Sequence, residues 1–288
     1  MYPSRFRYEA PRSLDEALEL LRAYGDEAKV LAGGQSLIPM VKLRFAAPEL
    51  LVDLNTVSGL DYHREEADGT LAVGALCRHV DLEYSTLLGE RRPTMASAAP
   101  MIADPIVRNR GTLVGSLCHA DPQGDWASVM LALGGEVVAV SATGRRRIPM
   151  TEFVVGPFQN ALRPDEIAVE ARVPGPQGMV SGRYLKLERR VGDFATVGVA
   201  VMIETAAGTV TRAGIALTGV GPSNIKAVEA ERALVGGRLD RASIEEAGRL
   251  AAEVAQPKTD HRGSADYKRH MVRTFVVRAL DPRVAVAS

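Results

Sequence analysis

The chain has 288 residues, 46% hydrophobic and 24% charged, an ordinary soluble composition with enough material for more than one core. Its 35 basic and 35 acidic side chains cancel, so no global field recruits nucleic acid or an anionic membrane. Cys77 and Cys118 are too few thiolates for an iron–sulfur cluster, which takes about four, or for structural zinc; with no apolar h-region and no run of ~18 apolar residues, the expected setting is the cytoplasm, without a transmembrane segment.

Taken in order, Ser13-Leu14-Asp15-Glu16 predicts a capping box, with Leu14, Ala17, Leu18 and Leu21 on one helical face and Gly25 as the stop. Strands are predicted over 29–31 and 50–54, making residues 1–57 a small α/β unit. Asp68-Gly69 predicts a hairpin between 60–65 and 70–74. Helical patterns follow at 79–88 and 95–102, then a glycine-rich stretch from Arg108 to Asp125, then a helix over 126–133. Strands at 136–140, 146–150 and 166–173 close a second unit, 58–175. The run Pro174-Gly175-Pro176-Gln177-Gly178 reads as a linker. Beyond it, over 179–284, strands at 183–187, 195–205 and 209–218 form a small antiparallel sheet. Helices at 225–234, 244–254 (capped by Ser243 and Glu246) and 265–280 are expected on one face of that sheet.

Two small-residue loops carry the functional signal. Leu31-Ala32-Gly33-Gly34-Gln35-Ser36-Leu37 leaves a strand. Gly111, Gly115 and Gly124 punctuate the second stretch, which also holds Thr112, Ser116, Cys118 and Asp121. Glycines permit positive φ and let backbone N–H groups converge on an anion, and two such nests point to a diphosphate or a long phosphorylated ligand. Neither loop matches the G-x-G-x-x-G or P-loop spacing. The competing reading of the second stretch is a tight strand-to-helix connection with Asp125 as the helix N-cap. Lys186, between Leu185 and Leu187 in a strand pattern, is by default solvent-exposed, and Phe194 suits either a core position or a stacking one. His63, His79, His119, His261 and His270 form no nucleophile–base pair at a recognisable spacing.

Ala32-Gly33-Gly34-Gln35-Ser36-Leu37-Ile38-Pro39, then Arg110-Gly111-Thr112-Leu113-Val114-Gly115-Ser116 with Ala120-Asp121-Pro122 and Asp125, then Lys186 and Arg189-Arg190-Val191-Gly192-Asp193-Phe194-Ala195, together resemble the FAD-binding medium subunit of molybdenum hydroxylases, nearest to the aerobic carbon monoxide dehydrogenase type. The resemblance covers nearly the whole chain. It departs at Gln35, Val114, Ser116 and Phe194, where members often carry His, Gly, Asn and Tyr.

It implies an α+β chain: a two-part FAD-binding domain over 1–175 of the vanillyl-alcohol-oxidase/PCMH-like type, then a small antiparallel sheet with a helical C-terminal part. It also implies FAD as cofactor, held by Leu31, Ala32, Gly33, Gly34, Gln35, Ser36, Leu37, Ile102, Gly111, Thr112, Gly115, Ser116, Cys118, Gly124, Asp125, Ile167, Lys186 and Phe194. The implied partners are an iron–sulfur small subunit and a molybdenum-cofactor large subunit, assembled as a dimer of heterotrimers. Electrons would pass from the clusters through FAD to an external acceptor, with substrate oxidation on a partner chain, no catalytic residue here and no metal bound by this chain. The alternatives are a stand-alone FAD-dependent oxidase or reductase and a non-catalytic scaffold.

Overall fold

The computed structural model describes residues 2–89 and 91–281, so the expected end of the second domain at 284 lies outside the described residues. The chain opens with a short parallel sheet of β1 (Arg7–Glu9), β2 (Ala28–Leu31) and β3 (Leu50–Asp53) in the order β1-β3-β2. The polar edge strand β1 gives no apolar signal in the sequence. Between β1 and β2 lies α1 (Leu14–Tyr24), whose buried Ala17, Leu18 and Leu21 face the sheet. Ser13 caps it by accepting from Glu16 N at 3.2 Å, but the Glu16 carboxylate reaches past the cap to Arg12 N at 2.8 Å, so the capping box is one residue longer than its motif predicts. A short α2 (Leu37–Lys42) follows β2.

Next come β4 (His63–Glu65) and β5 (Leu71–Gly74), joined as predicted with Gly69 at φ 80°. The chain continues through α3 (His79–Glu83), α4 (Pro93–Ala98), α5 (Pro105–Arg108), α6 (Leu113–His119) and α7 (Asp125–Leu133). It then runs through β6 (Glu136–Ser141), β7 (Gly144–Pro149), α8 (Met150–Phe153), β8 (Val154–Gly156), β9 (Gln159–Asn160) and β10 (Ile167–Val173). Strands β4-β5-β10-β6-β7 make a five-stranded antiparallel sheet. Leu54, Leu60, Leu76, Val138, Ile167 and Val169 seal it against α1 and the first sheet.

Two differences from the sequence reading have local causes. The helix expected over 79–88 stops at Glu83, and beyond it the Ser85 hydroxyl takes up Leu87 N at 3.2 Å, a side-chain bond that competes with the helical ladder. Helix α6 forms where only a glycine-rich loop was expected, because the Thr112 hydroxyl caps it by accepting from Gly115 N at 3.0 Å. It ends at Ala120, in the left-handed region at φ 51°.

The last part is an antiparallel sheet of β11 (Met179–Leu187), β12 (Val197–Ala206), β13 (Thr209–Thr218) and β14 (Ile225–Lys226), followed by α9 (Val228–Leu234), α10 (Arg241–Val254) and α11 (Ala265–Leu280). The helix expected from 225 begins three residues later, because Ile225 and Lys226 pair with Leu217 and Ala216. The cap of α10 is Asp240, which accepts from Ser243 N at 2.8 Å while Ser243 accepts from Asp240 N at 3.1 Å; Ser243 is thus the inner member of the box, and the expected Ser243/Glu246 box does not form. The alternation of β12 divides its side chains between two cores. Val197, Val199, Val201 and Ile203 pack with α9, α10 and α11, while Ala200 and Met202 pack with Met95, Trp126 and Met130 of α4 and α7. Helices therefore cover both faces of this sheet, where one was expected. The approach of α7 to β13 is backbone to backbone: a Cβ on Gly214 would lie 1.8 Å from the Ala132 carbonyl oxygen.

Candidate functional site

Strand β2 delivers the chain into the first glycine loop, where Leu31, Ala32, Gly33, Gly34, Ser36 and Leu37 are partly exposed and Gln35 is exposed. Of the glycines predicted for the site, only Gly34 has a positive φ, 73°. The others are needed for close approach rather than for unusual dihedrals. A Cβ on Gly33 would lie 2.3 Å from the Arg110 carbonyl oxygen and 2.7 Å from the Gly111 Cα, so the two loops, far apart in sequence, touch through their backbones. A Cβ on Gly111 would lie 2.8 Å from the His79 ring, and one on Gly115 would lie 2.7 Å from the Thr112 hydroxyl that caps α6.

In the first loop Ile38 N donates to Gly34 O at 3.0 Å and Met40 N to Ser36 O at 3.3 Å, which starts α2. The N–H groups of Gly34, Gln35, Ser36 and Leu37 find no acceptor among the described residues. Successive unpaired donors beside a loop contact that no side chain can enter fit the diphosphate of a dinucleotide, which presents oxygens and no donors.

A second cluster forms around Asp125, at the first turn of α7 and only 7% exposed. The competing reading of Asp125 as the helix N-cap fails: Gly124 is the N-cap, and the Asp125 carboxylate points elsewhere. It accepts from the Tyr184 hydroxyl at 2.5 Å and from Lys186 Nζ at 3.1 Å. Burial pushes the Asp125 carboxyl up from its ordinary range, opposed by the Lys186 charge and the Tyr184 hydrogen bond, and burial also pushes the Tyr184 hydroxyl up. Lys186 is not the solvated lysine its default reading predicts, since its side chain is 2% exposed. Its ammonium also donates to Met101 O at 2.9 Å and sits 3.4 Å from Glu188. The network continues inward from Tyr184 to Thr218, Ser128 and Asn224, and Asn224 donates to Gly124 O at 3.0 Å.

Ile102 adjoins this cluster through Met101, and its carbonyl accepts from Arg108 at 3.1 Å. A Cβ on Gly192 would lie 3.1 Å from the Ala103 carbonyl, which places the loop carrying Phe194 beside Ile102. Phe194 is 51% exposed, so the core alternative for it fails. Ser116 lies partly buried on α6; Cys118, nearby, has its thiol pushed up to about 12 by burial and its carbonyl held by Asn160 at 2.7 Å. Ile167 is 1% exposed in the core between the two sheets, the same core against which Ala32 of the first glycine loop packs.

Sequence reasoning missed Asn55, Arg78, His79, Tyr184 and Glu188. Tyr184 was findable, since it shares a strand face with Lys186 at spacing two. His79 was not: Trp126 donates to its Nδ1 at 3.0 Å from a distant helix, and burial, with the charges of Arg108 and Arg78, pushes it down to about 3.

Two glycine loops in contact, followed by a buried lysine–carboxylate pair, make a candidate flavin-dinucleotide site on an α+β scaffold. The chain matches the family model for the FAD binding domain in molybdopterin dehydrogenase over residues 4–176 and that for the CO dehydrogenase flavoprotein C-terminal domain over residues 183–282. It belongs to the family of FAD-binding medium subunits of molybdenum hydroxylases, and FAD is its cofactor. It is 40% identical to the carbon monoxide dehydrogenase medium chain of Hydrogenophaga pseudoflava, over 98% of each chain. It is 39% identical to the 6-hydroxypseudooxynicotine dehydrogenase complex subunit alpha of Paenarthrobacter nicotinovorans, over 97% of this chain and 95% of that one. Its structure is similar to that of a carbon monoxide dehydrogenase from Hydrogenophaga pseudoflava with a TM-score of 0.93, covering 97% of both chains at 42% identity.

Proposed function

We propose that this chain holds one FAD with its diphosphate across the contact of the Gly33–Gly34 and Arg110–Thr112 loops and its ring toward Lys186 and Phe194, between the two parts of the N-terminal domain. The observation that carries the placement is the run of unpaired N–H groups beside the backbone contact of Gly33 with Arg110. When bound, FAD supplies the exchange of one- and two-electron steps between clusters and an external acceptor. The chain's own residues bind and orient it: the loop amides face the diphosphate, and the Lys186 ammonium, kept from water by Asp125 and Glu188, presents a fixed positive charge. In this reading Asp125 acts mainly by holding Lys186, and Phe194 covers one face of the ring.

In the proposed assembly the chain joins an iron–sulfur small subunit and a molybdenum-bearing large subunit as a dimer of heterotrimers. A cytoplasmic setting is supported by the two unpaired cysteines, Cys77 and Cys118. The division into 1–175 (parts 1–57 and 58–175) and 179–284 is supported by the family models, which stop at 176 and resume at 183. Similarity of 40% and 39% to subunits of complexes named for carbon monoxide and for 6-hydroxypseudooxynicotine supports a reading in which substrate is chosen on another chain. The isolated FAD-loaded chain is expected to be bleached by a chemical reductant, to stay oxidised under carbon monoxide or an N-heterocycle, and to become reducible by the right substrate once both partners are added. Bleaching of the isolated chain by such a substrate would overturn this assignment in favour of a stand-alone flavoenzyme.

A further inference from the structure

One guanidinium ties the two glycine loops together. Arg78, immediately before α3, donates through Nη1 to the Arg110 carbonyl oxygen at 2.7 Å and through Nη2 to the Asn55 side-chain oxygen. Asn55 in turn donates through Nδ2 to the Ala32 carbonyl oxygen at 2.9 Å and is oriented by Asp53, which accepts from Asn55 N at 2.9 Å. The Arg110 oxygen held by Arg78 is the atom that a Cβ on Gly33 would strike, so the link fixes the contact between the loops.

Each carbonyl belongs to a planar trans peptide, so holding Ala32 C=O toward Asn55 turns the Gly33 N–H the opposite way, away from Asn55. Arg78 is half-buried, and burial followed by the nearby Arg110 charge pushes it down from the usual arginine range. Two like charges gathered where the loop of unpaired amides meets the Arg110 backbone are favourable where an anion lies beside them.

We propose that Arg78 and Asn55 are positioning residues for the flavin dinucleotide, acting as one clamp that sets the spacing and peptide orientation of both loops for its diphosphate. Each Arg78 terminal nitrogen gives one hydrogen bond to a protein acceptor, one in each half of the link, and the role assigned to the clamp is exerted through the loops it holds. It rests on the placement of the diphosphate at these loops.

The test titrates the full-length apoprotein with FAD and, separately, with riboflavin, which has no diphosphate. Arg78→Met and Asn55→Ala should each weaken FAD by roughly tenfold, as for a lost charge-assisted hydrogen bond, and leave riboflavin within about twofold. Arg78→Lys should fall between, because a lysine keeps the charge but cannot span both acceptors. The double variant should be no more than about threefold weaker than the worse single one, since both bonds belong to one linkage. Parallel loss of FAD and riboflavin, or singles whose effects multiply, would overturn the clamp. So would parental FAD affinity in Arg78→Lys, a variant that keeps the volume and charge needed to fold if Arg78→Met does not. Gly33→Val separates the two readings: if it abolishes FAD binding while the clamp variants bind normally, the loops hold FAD without the clamp. If Gly33→Val binds FAD normally, the placement at the loops and the clamp fail together.

Discussion

Tyr184 donates its only proton to a carboxylate that burial already strains, and removing that hydroxyl leaves Asp125 with Lys186 as its one side-chain donor among the described residues. Tyr184→Phe keeps the ring in the core and is expected to lower unfolding stability by about 1–3 kcal/mol, measured by urea denaturation of the apoprotein. An unchanged midpoint would mean that Lys186 alone satisfies the carboxylate. His79 gives a test with a definite pH window. Its ordinary value is 6.5 and its folded value is about 3, so above 6.5 neither state is protonated and the histidine adds no pH dependence. As pH falls below 6.5 the unfolded chain takes up a proton that the folded chain refuses, and stability drops until pH reaches about 3. His79→Gln, whose amide oxygen still accepts from Trp126, should flatten that slope by up to about 1.4 kcal/mol per pH unit in urea unfolding between about pH 4 and 6. Parallel slopes would show that His79 protonates freely in the folded chain. At this scale the sequence showed Asp125, Lys186 and the glycines but not their partners, because Tyr184, Trp126 and Arg78 become neighbours only through tertiary packing.

Elements were most legible where periodicity and punctuation agree. β13 and α11 have the predicted bounds, 209–218 and 265–280, since each has clear apolar patterning between polar or glycine boundaries. α6 was hidden because Gly115 and Ser116 are poor helix formers; a threonine cap and packing against α7 outweigh their propensity. The contact of α7 with β13 makes the sharpest prediction among the elements. Gly214→Ala puts a methyl 1.8 Å from the Ala132 carbonyl oxygen, and neither backbone can yield without separating helix from strand. The variant is expected to lose at least about 1–3 kcal/mol in urea unfolding, with the near-ultraviolet signal of Trp126, on the same helix as Ala132, altered. A variant as stable as the parent would mean that α7 slides on the sheet.

Across the whole molecule, order of elements and family were legible, but the way the parts share a wall was not. The alternation of β12 marks it as a strand buried on at least one face, yet nothing local to Ala200 and Met202 says that their neighbours are Trp126 and Met130 from the other side of the linker. The two touching glycine loops were likewise separately visible and jointly invisible. Their sequence separation gives no clue to the contact that Gly33 makes with Arg110.

The shared wall sets a limit on dissection. A fragment ending at Gly178 would carry the glycine loops of the proposed flavin site but lose β11 with Tyr184 and Lys186 and the following segment with Glu188 and Phe194, and would leave the face of α4 and α7 that holds Met95, Trp126 and Met130 open to water. Such a piece is expected to aggregate when produced alone and to become soluble when 179–288 is supplied as a separate polypeptide. Protease nicking between Pro174 and Gly178 should accordingly give two bands under denaturing conditions but one native species on size exclusion. The peptide at the linker is thus dispensable for holding the halves together, and a soluble, monodisperse 1–178 would show that they are independent. Recombining halves from different relatives therefore means matching both sides of one sheet, in register, and not merely joining two modules at a flexible hinge.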